Sequence, residues 1–209
     1  MRQLRTAVVA LVAISLAFGL AYPLAMTGVA QVVTQGQADG SLVKRDGKVV
    51  GSKLIGQDFS RDTGRKDKDG NPILAPDLRY FQSRPSATGY SASATFFNNQ
   101  GPNQQALADQ LKANLKTYLS RERPADPGLR ASQVPSNAVT TSASGVDPDI
   151  SVANARIQAH RVARRRGLSR ARVLKLVDDH TSKPLFGLGG QGSVNVLELN
   201  LALDRETSR

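Results

Sequence analysis

The feature that most constrains this chain is an uncharged N-terminal run from Thr6 to Ala38, preceded by Arg2 and Arg5. Residues 7–30 are almost wholly apolar, and as a helix they would extend roughly 36 Å at about 1.5 Å per residue. The hydrocarbon core of a bilayer is roughly 30 Å thick, so this length is sufficient to cross it. A helix is also the only single segment that satisfies its own backbone hydrogen bonds in lipid. The sequence therefore predicts one transmembrane helix, which Pro23 is expected to kink.

A cleaved signal peptide is the alternative, since arginines, an apolar region and a small-residue site at Gly28-Val29-Ala30 are all present. The apolar region is longer than the roughly 7 to 15 residues usual for a signal peptide, which favours a retained anchor. Arg2 and Arg5 favour a cytoplasmic N-terminus, because positive charge next to a span prefers that side. We therefore expect residues 1–38 to be a membrane anchor in the plasma (inner) membrane. Residues 39–209 should form a single extracytoplasmic domain.

The composition limits what this domain can do. It has no cysteine, so it contains neither disulfides nor thiolate metal sites. After Arg2 and Arg5 are set aside, 26 basic residues against 17 acidic ones leave a formal net charge of +9. Such a charge is typical of proteins that bind nucleic acid or an anionic surface. An extracytoplasmic location and the absence of tryptophan argue against nucleic-acid binding, which stays a less favoured functional hypothesis.

Hydrophobic periodicity and turn residues predict an α+β domain. Two short β-type runs flank Asp46-Gly47 and predict a hairpin. Residues 60–77 are charged and rich in turn formers, which predicts an exposed loop, and residues 80–103 should form a shaped, irregular segment. We expect a helix capped by Asn103 that ends before Pro124.

The C-terminal half should contain two helices and a strand. Ser151 and Ser169 are candidate N-caps, and Gly167 is expected to end the first of the two helices. Leucines at alternate positions from Leu197 to Leu203 predict a core strand over residues 193–203. Seven arginines lie between Arg156 and Arg172. A solvated helix face is the favoured interpretation, and a site for anionic lipid or an acidic partner is the alternative.

No complete catalytic or metal-binding set is present in the sequence. Ser41-x-x-Lys44 lacks the companion motifs of acyl-transfer enzymes, and His160 and His180 fall in separate helical segments. The charged run at Asp67-Lys-Asp69-Gly70 is a poor match to a calcium loop. The Gly187–Gly192 segment is read as a tight turn before a strand, without a helix N-terminus to hold phosphate. We therefore predict that the chain is not an enzyme on its own and has no catalytic or metal-ligating residues.

Ordered short motifs nonetheless occur along nearly the whole chain. They are Tyr22-Pro23-Leu24, Gly40-Ser41-Leu42, Gly51-Ser52-x-Leu54-Ile55-Gly56-Gln57-x-Phe59, Tyr80-Phe81-x-x-Arg84-Pro85-Ser86-Ala87-Thr88, Thr141-Ser-Ala-Ser-Gly-Val-Asp147-Pro148-x-Ile150-Ser151, Arg161-Val162-Ala163-x-x-Arg166-Gly167-Leu168 and Val194-Asn195-Val196-Leu197-x-Leu199-Asn200-Leu201-Ala202-Leu203. Taken in this order, they resemble the C subunit of the Kdp potassium pump, a bacterial P-type potassium-transporting ATPase. The segments from about Arg61 to Leu78 and from Gly89 to Asn98 depart from that family's pattern.

The resemblance implies an accessory subunit of a high-affinity, ATP-driven potassium import complex. Its implied partners are a channel-like pore subunit and a catalytic P-type ATPase subunit, together with membrane lipid. It also implies that the chain supports assembly and raises the ATP affinity of the catalytic subunit. ATP is implied by the resemblance alone, and we assign no bound cofactor to this chain. A secreted or anchored binding protein without a pump role is the alternative. The motif residues expected to serve assembly or partner contact are Tyr22, Pro23, Gly56, Gln57, Arg84, Pro85, Ser86, Thr88, Ser142, Ser144, Gly145, Asp147, Pro148, Asn195 and Asn200.

Overall fold

A computed structural model of the chain describes residues 1–91, 93, 100–182 and 190–207. The fold is mixed α/β with one N-terminal apolar helix, as predicted. The chain forms two compact units, Met1–Ser52 and Lys53–Arg209, and the first contains the apolar helix and a short hairpin. The division into a membrane anchor over residues 1–38 and an extracytoplasmic domain over residues 39–209 stays a prediction, because compactness does not place either part relative to a membrane.

The apolar helix of the first unit is continuous from Arg2 to Val33. It consists of α1 (Arg2–Leu16), a π-helical turn (Ala17–Ala21) and α2 (Tyr22–Val33). Its most apolar 18-residue window has a mean hydropathy of 2.2, and none of that window is buried. A helix that is apolar on all sides and uncovered needs lipid or other helices around it. Its length and composition therefore suit a membrane span.

The helix is irregular just before Pro23. The Tyr22 N–H donates to the Ala17 carbonyl, five residues back, which is the hydrogen-bonding pattern of a π-helix. Pro23 has no N–H to donate, and its ring crowds the carbonyl one turn earlier. One wide turn over Ala17–Ala21 accommodates both effects, so the irregularity lies on the N-terminal side of Pro23.

A one-turn helix, α3 (Gln35–Ala38), leads into the predicted hairpin of β1 (Leu42–Arg45) and β2 (Lys48–Ser52). The strands are antiparallel, with a bulge between Val43 and Lys44. Asp46 and Gly47 have φ of 50° and 77°, as a two-residue hairpin turn of this kind requires. The hairpin prediction is confirmed.

The second unit begins with another hairpin, β3 (Ser60–Lys66) and β4 (Pro72–Pro76). The prediction of a loop over residues 60–77 was therefore wrong, although the segment is exposed for most of its length, as expected. The Asp67 carboxylate accepts the Asp69 and Asn71 N–H groups, both at 2.9 Å, and so turns the chain between the strands. Because neither face of the hairpin is buried, its strands carry no alternating apolar pattern that the sequence could reveal.

Three helices follow the predicted order: α4 (Gln105–Glu122), α5 (Val152–Arg166) and α6 (Arg170–Asp179). Helix α4 ends before Pro124 as predicted, but its N-cap is Gln104 rather than Asn103. The caps of α5 and α6 are confirmed, because Ser151 and Ser169 each accept a backbone N–H at 3.2 Å. Helix α5 ends at Gly167 as expected. Two short 3-10 turns, Ala131–Gln133 and Ser136–Ala138, lie between α4 and α5.

The predicted core strand over residues 193–203 was wrong beyond Asn195. Only Ser193–Asn195 is a strand (β6), which pairs antiparallel with β5 (Asp149–Ser151). The rest is helix α7 (Val196–Thr207), capped by Asn195, whose Oδ1 accepts the Glu198 N–H at 3.1 Å. Alternate leucines fit a strand, but the segment also carries a stripe with the spacing i, i+3, i+4, i+7, which is helical. The buried residues that form this stripe are Val196, Leu199, Asn200 and Leu203.

The main core lies between α5, α6 and α7. It includes Ala159 and Val162 of α5, Val177 of α6 and Leu203 of α7, and Phe81 from the irregular segment is fully buried among them. A smaller cluster beneath α4 consists of Tyr118, Leu119, Leu129 and Ala138. Helix α5 contacts both α4 and α6, so it positions the loops described next.

Candidate functional site

Most of the predicted motif residues of the second unit lie where three loops meet. We call this region the loop junction: Gly56–Gln57, Arg84–Tyr90 and Thr141–Pro148. The Gly56 N–H donates to the Val146 carbonyl at 2.7 Å, and the Ser142 N–H donates to the Pro85 carbonyl at 3.2 Å. Three segments without regular structure are thereby joined backbone to backbone.

A half-buried ion pair crosses the loop junction. Arg84 Nη1 lies 2.8 Å from Asp147 Oδ2, and the two side chains are 23% and 29% exposed. Arg84 Nη2 also donates to Thr140 Oγ1 at 3.3 Å and to the Thr141 carbonyl at 3.4 Å. The other Asp147 oxygen accepts the Asp149 N–H at 3.0 Å. Each charged group thus also contacts a backbone or hydroxyl group in the third loop or directly next to it.

Hydroxyl groups join the second loop to the third. Ser86 Oγ donates to the Gly145 carbonyl at 2.6 Å, and Thr88 Oγ1 approaches the same carbonyl at 3.3 Å. Gly145 has φ of 73°, in the left-handed region, and a Cβ there would lie 2.6 Å from Thr88 Oγ1. A side chain at this position is therefore disfavoured on both conformational and steric grounds.

The remaining contacts of the junction also involve backbone groups. A Cβ on Gly56 would collide with the Asp147 carbonyl, so this close approach needs glycine. Tyr90 donates its hydroxyl proton to the Arg84 carbonyl. Burial raises the pKa of Tyr90 to about 12, and the Asp58 carboxylate adds to the shift, so the hydroxyl remains a donor near neutral pH. Three further predicted residues take part: Ser144 Oγ accepts the Val146 N–H, and the Gln57 and Pro148 carbonyls accept from Ser83 and Val196.

Two amide side chains hold the irregular segment next to the junction. Asn200 of α7 accepts the Phe81 N–H at 2.9 Å and donates to the Phe81 carbonyl at 3.0 Å. Gln158 of α5 pairs in the same way with Gln82, at 2.8 and 3.0 Å. An amide offers one acceptor and two donors, so each side chain satisfies both backbone groups of one buried residue. Asn200 was predicted as a motif residue, whereas Gln158 was missed.

The other predicted residues lie elsewhere. Asn195 caps α7 and donates to the Lys53 carbonyl at 2.8 Å. Tyr22 and Pro23 belong to the apolar helix of the first unit, where Tyr22 is exposed. The structure thus brings eleven of the fifteen predicted residues to the loop junction. Whether they contact a partner stays a prediction.

Comparison with known proteins decides the family. A family model described as "KdpC: K+-transporting ATPase, c chain" matches residues 4–205. The chain belongs to the KdpC family. The resemblance seen in the sequence motifs is therefore confirmed over nearly the whole chain.

Relatives named "Potassium-transporting ATPase KdpC subunit" match across almost their full length. One from Cereibacter sphaeroides (strain ATCC 17023) is 45% identical over 204 residues, covering 98% of this chain and 97% of that protein. One from Caulobacter vibrioides (strain NA1000) is 47% identical over 205 residues, covering 97% and 92%. One from Polaromonas naphthalenivorans (strain CJ2) is 48% identical over 204 residues, covering 96% and 93%.

A buried ion pair in this member of the KdpC family was missed by sequence reasoning. Arg161 of α5 is 2% exposed and donates through Nε to both oxygens of Glu122, which is 1% exposed, at 3.1 and 3.0 Å. Its remaining nitrogens donate to the Leu78 and Tyr80 carbonyls and to Gln158 Oε1. Burial lowers the pKa of Arg161, although Glu122 opposes the shift. The pair links α4 and α5 to the segment that precedes the junction.

The interpretation of the seven arginines as a solvated helix face was wrong for Arg161, which is buried. Arg156 does lie at the surface, in an ion pair with Asp178 in which both side chains are more than half exposed. Arg166 pairs with Asp204, and both are nearly buried. Arg161 lies at the spacing i, i+4, i+7 with Asn154 and Gln158, and all three are buried. Because this stripe is polar, no apolar pattern in the sequence indicated its burial.

The candidate catalytic groups of this KdpC-family chain remain apart. His160 Nε2 lies 4.0 Å from one carboxylate oxygen of Asp126, and His180 Nδ1 lies 2.8 Å from the Leu176 carbonyl. Within residues 1–91, 93, 100–182 and 190–207, no group of three or more histidine, aspartate or glutamate side chains is placed to hold a metal ion. Half of the glycine-rich segment at 187–192, residues 187–189, lies outside the described residues. Many polar groups of the loop junction form hydrogen bonds within the chain, although Arg84 Nε is buried without a hydrogen-bond partner among the described residues. Hydrogen bonds of this kind fix the shape of a surface.

Proposed function

We propose that the chain is an accessory subunit without a reaction of its own, which supports assembly of a high-affinity, ATP-driven potassium import complex. The observation that carries the proposal is that motif side chains of the loop junction hold the loops in place. Ser86, Arg84 and Asp147 each form a hydrogen bond with a backbone group of the third loop or of the residue next to it. A rigid surface of this kind suits contact with another protein. The uncovered apolar helix suits contact with membrane-embedded subunits.

The proposed partners are the pore subunit and the catalytic subunit of the same complex. The apolar helix carries small residues, including Ala10, Ala13 and Ala17, which allow other helices to approach closely. The proposed topology is a single pass through the plasma membrane, with the N-terminus in the cytoplasm and residues 39–209 outside. Arg2 and Arg5 favour this orientation.

The proposal extends to ATP affinity. A domain outside the membrane cannot touch cytoplasmic ATP, so any effect must arise from contacts that differ between two states of the pump. A tenfold change in the KM for ATP would correspond to a coupling free energy of about 1.4 kcal/mol. Measuring KM for ATP in complexes purified with and without the chain tests this extension, and an equal KM in both would contradict it.

Purification of the complex tests the main proposal. The other subunits are recovered through a tag on one of them, from cells that contain or lack this chain. We expect the complex to lose its stoichiometry and its potassium-stimulated ATPase activity when the chain is absent. Unchanged assembly and unchanged activity would rule out the proposed role.

A further inference from the structure

Two hollows meet on one side of the second unit, between α4 and the end of α5. One is a cavity of about 300 Å³ whose lining includes Arg121, Arg164 and Arg165. The other is an open groove of about 730 Å³ that follows α4. Ser120 and Pro124 line both, so the hollows form one continuous surface. We call it the cationic groove, and the cations along it are Lys112, Lys116, Arg121, Arg123, Arg164 and Arg165.

The carboxylates of the described residues balance only part of the positive charge of the cationic groove. The nearby Glu122 is buried and is shared between Arg121 and Arg161. In the part of the chain that the structure describes, no carboxylate pairs with Lys112, Lys116 or Arg165. These cations repel one another and attract anions from outside the chain.

The floor of the groove is apolar. Leu115 and Leu119 of α4 line it, together with Pro127. Leu119 also packs in the smaller core cluster, so the floor is backed by fixed side chains. An apolar floor with cations at its rim matches a partner surface that presents an apolar side chain between carboxylates.

The shape favours a protein segment over a membrane surface. Proteins that bind anionic lipid insert protruding apolar groups and lay basic side chains flat on the head groups. Here the apolar groups lie at the bottom of a concave surface, where a protruding segment of a partner can reach them. Arginine also pairs with carboxylates through two parallel hydrogen bonds, as at protein interfaces.

We propose that the cationic groove is a docking surface for an acidic, partly apolar segment of another subunit of the potassium-transporting complex. This inference rests on the proposed function, because it takes the partner from the same assembly. It assigns the contact to α4 and the end of α5, apart from the loop junction.

Charge reversal tests the groove. The variant Arg164→Glu with Arg165→Glu changes two exposed side chains, of which Arg164 donates to the Pro124 carbonyl at 2.7 Å. The matched control, Lys68→Glu with Arg170→Glu, makes the same change of net charge at exposed positions away from the groove. Each variant is expressed with the whole complex, and the other subunits are recovered through a tag on this chain. Equal circular dichroism spectra of the two variants exclude misfolding as the cause of a difference.

We expect the groove variant to recover at least about tenfold less of the other subunits than the control, because like charges would now face the partner's carboxylates. Recovery by the wild type should also fall as salt is raised. Equal recovery by the groove variant and the control would overturn the docking surface while leaving the proposed function intact. Failure of the wild-type chain to recover any subunit would instead overturn the proposed function.

Cross-linking identifies the occupant. Lys116→p-benzoylphenylalanine places a photoreactive group at the rim of the groove in the full complex. We expect a cross-link to a partner peptide with a net negative charge. A cross-link to a basic peptide, or to phospholipid alone, would overturn the proposal. The proposal would also be overturned if the groove variant, as the full chain, assembled normally but no longer bound vesicles of anionic phospholipid. Lipid would then be the occupant.

Discussion

Replacing Arg161 by methionine should destabilise the second unit strongly. The methionine keeps much of the side-chain volume and removes the guanidinium. Glu122 would lose its main buried partner, and the Leu78 and Tyr80 carbonyls would each lose a donor that now lies at 2.6 and 2.9 Å. Because Arg161 and Glu122 are 2% and 1% exposed, water cannot replace the lost contacts without opening the structure.

The size of the effect follows from this burial. Removing one partner of a buried ion pair costs about 3 to 5 kcal/mol. Among the described residues, Glu122 would keep only Arg121, whose Nε lies 2.8 Å from its Oε1, and the two backbone carbonyls would keep no donor from Arg161. For a domain of about 150 to 250 residues, 1 kcal/mol shifts Tm by about 2 to 4 °C. We therefore expect Tm to fall by roughly 6 to 20 °C. Thermal unfolding of the full chain in detergent, followed by circular dichroism, measures the change.

Arg156→Met is the matched control on the same helix. Arg156 pairs with Asp178 at 3.1 Å, but their side chains are 58% and 56% exposed. Exposed ion pairs contribute about 0 to 1 kcal/mol, so this variant should lower Tm by no more than about 4 °C. The double variant Arg161→Met with Glu122→Leu should recover part of the loss, because it removes the buried carboxylate that has lost Arg161. Equal, small shifts for Arg161→Met and Arg156→Met would refute the reasoning.

Three further variants test other parts of the second unit by Tm. Gly145 has φ of 73°, which disfavours a side chain, so Gly145→Ala should lower the free energy of unfolding by about 1 to 3 kcal/mol. The control Gly101→Ala, where a Cβ meets open space, should be nearly neutral. Equal Tm values for the two variants would contradict the conformational and steric argument. Asn200→Ala should cost about 2 to 4 kcal/mol by leaving two buried backbone groups unpaired, and a Tm equal to the wild type would be contrary to this. Hydrogen bonds from Arg79 hold the pKa of Asp77 below its usual value, so the ionised Asp77 stabilises the fold above about pH 4 and this contribution is lost as the pH falls further. The Tm of Asp77→Asn should therefore decline less steeply with acid than that of the wild type. An equal decline would exclude Asp77 as a source of the acid sensitivity.

Local signals in the sequence predicted much of the fold. Ser151 and Ser169 mark helix starts and Asp46-Gly47 marks a hairpin, because capping and tight turns depend on a few neighbouring residues. Helix α7 was missed because its leucines fit both a strand and a helix period, and packing against α5 and α6 selects the helix. The β3–β4 hairpin buries neither face, so it carried no apolar pattern to detect.

The candidate site, like the fold, was predictable from the sequence only in part. The motifs named the residues of the loop junction, but their distances could not be predicted, because Arg84 and Asp147 are 63 residues apart in the chain. Arg161 was misread because a charged residue on a helix is usually exposed. Its burial depends on Glu122, which lies on another helix, and sequence spacing does not reveal contacts between helices.

The account depends most on the apolar helix being a retained anchor that leaves the second unit outside the membrane. The chain has no cysteine, so a single cysteine at Lys68, in the exposed turn of the β3–β4 hairpin, reports its own side of the membrane. We expect a membrane-impermeant maleimide to label Lys68→Cys in intact spheroplasts, on a full-length protein in the membrane fraction, while Gln3→Cys is labelled only after permeabilisation. Labelling of Lys68→Cys only after permeabilisation, or recovery of a soluble protein cleaved after Ala30, would contradict the account.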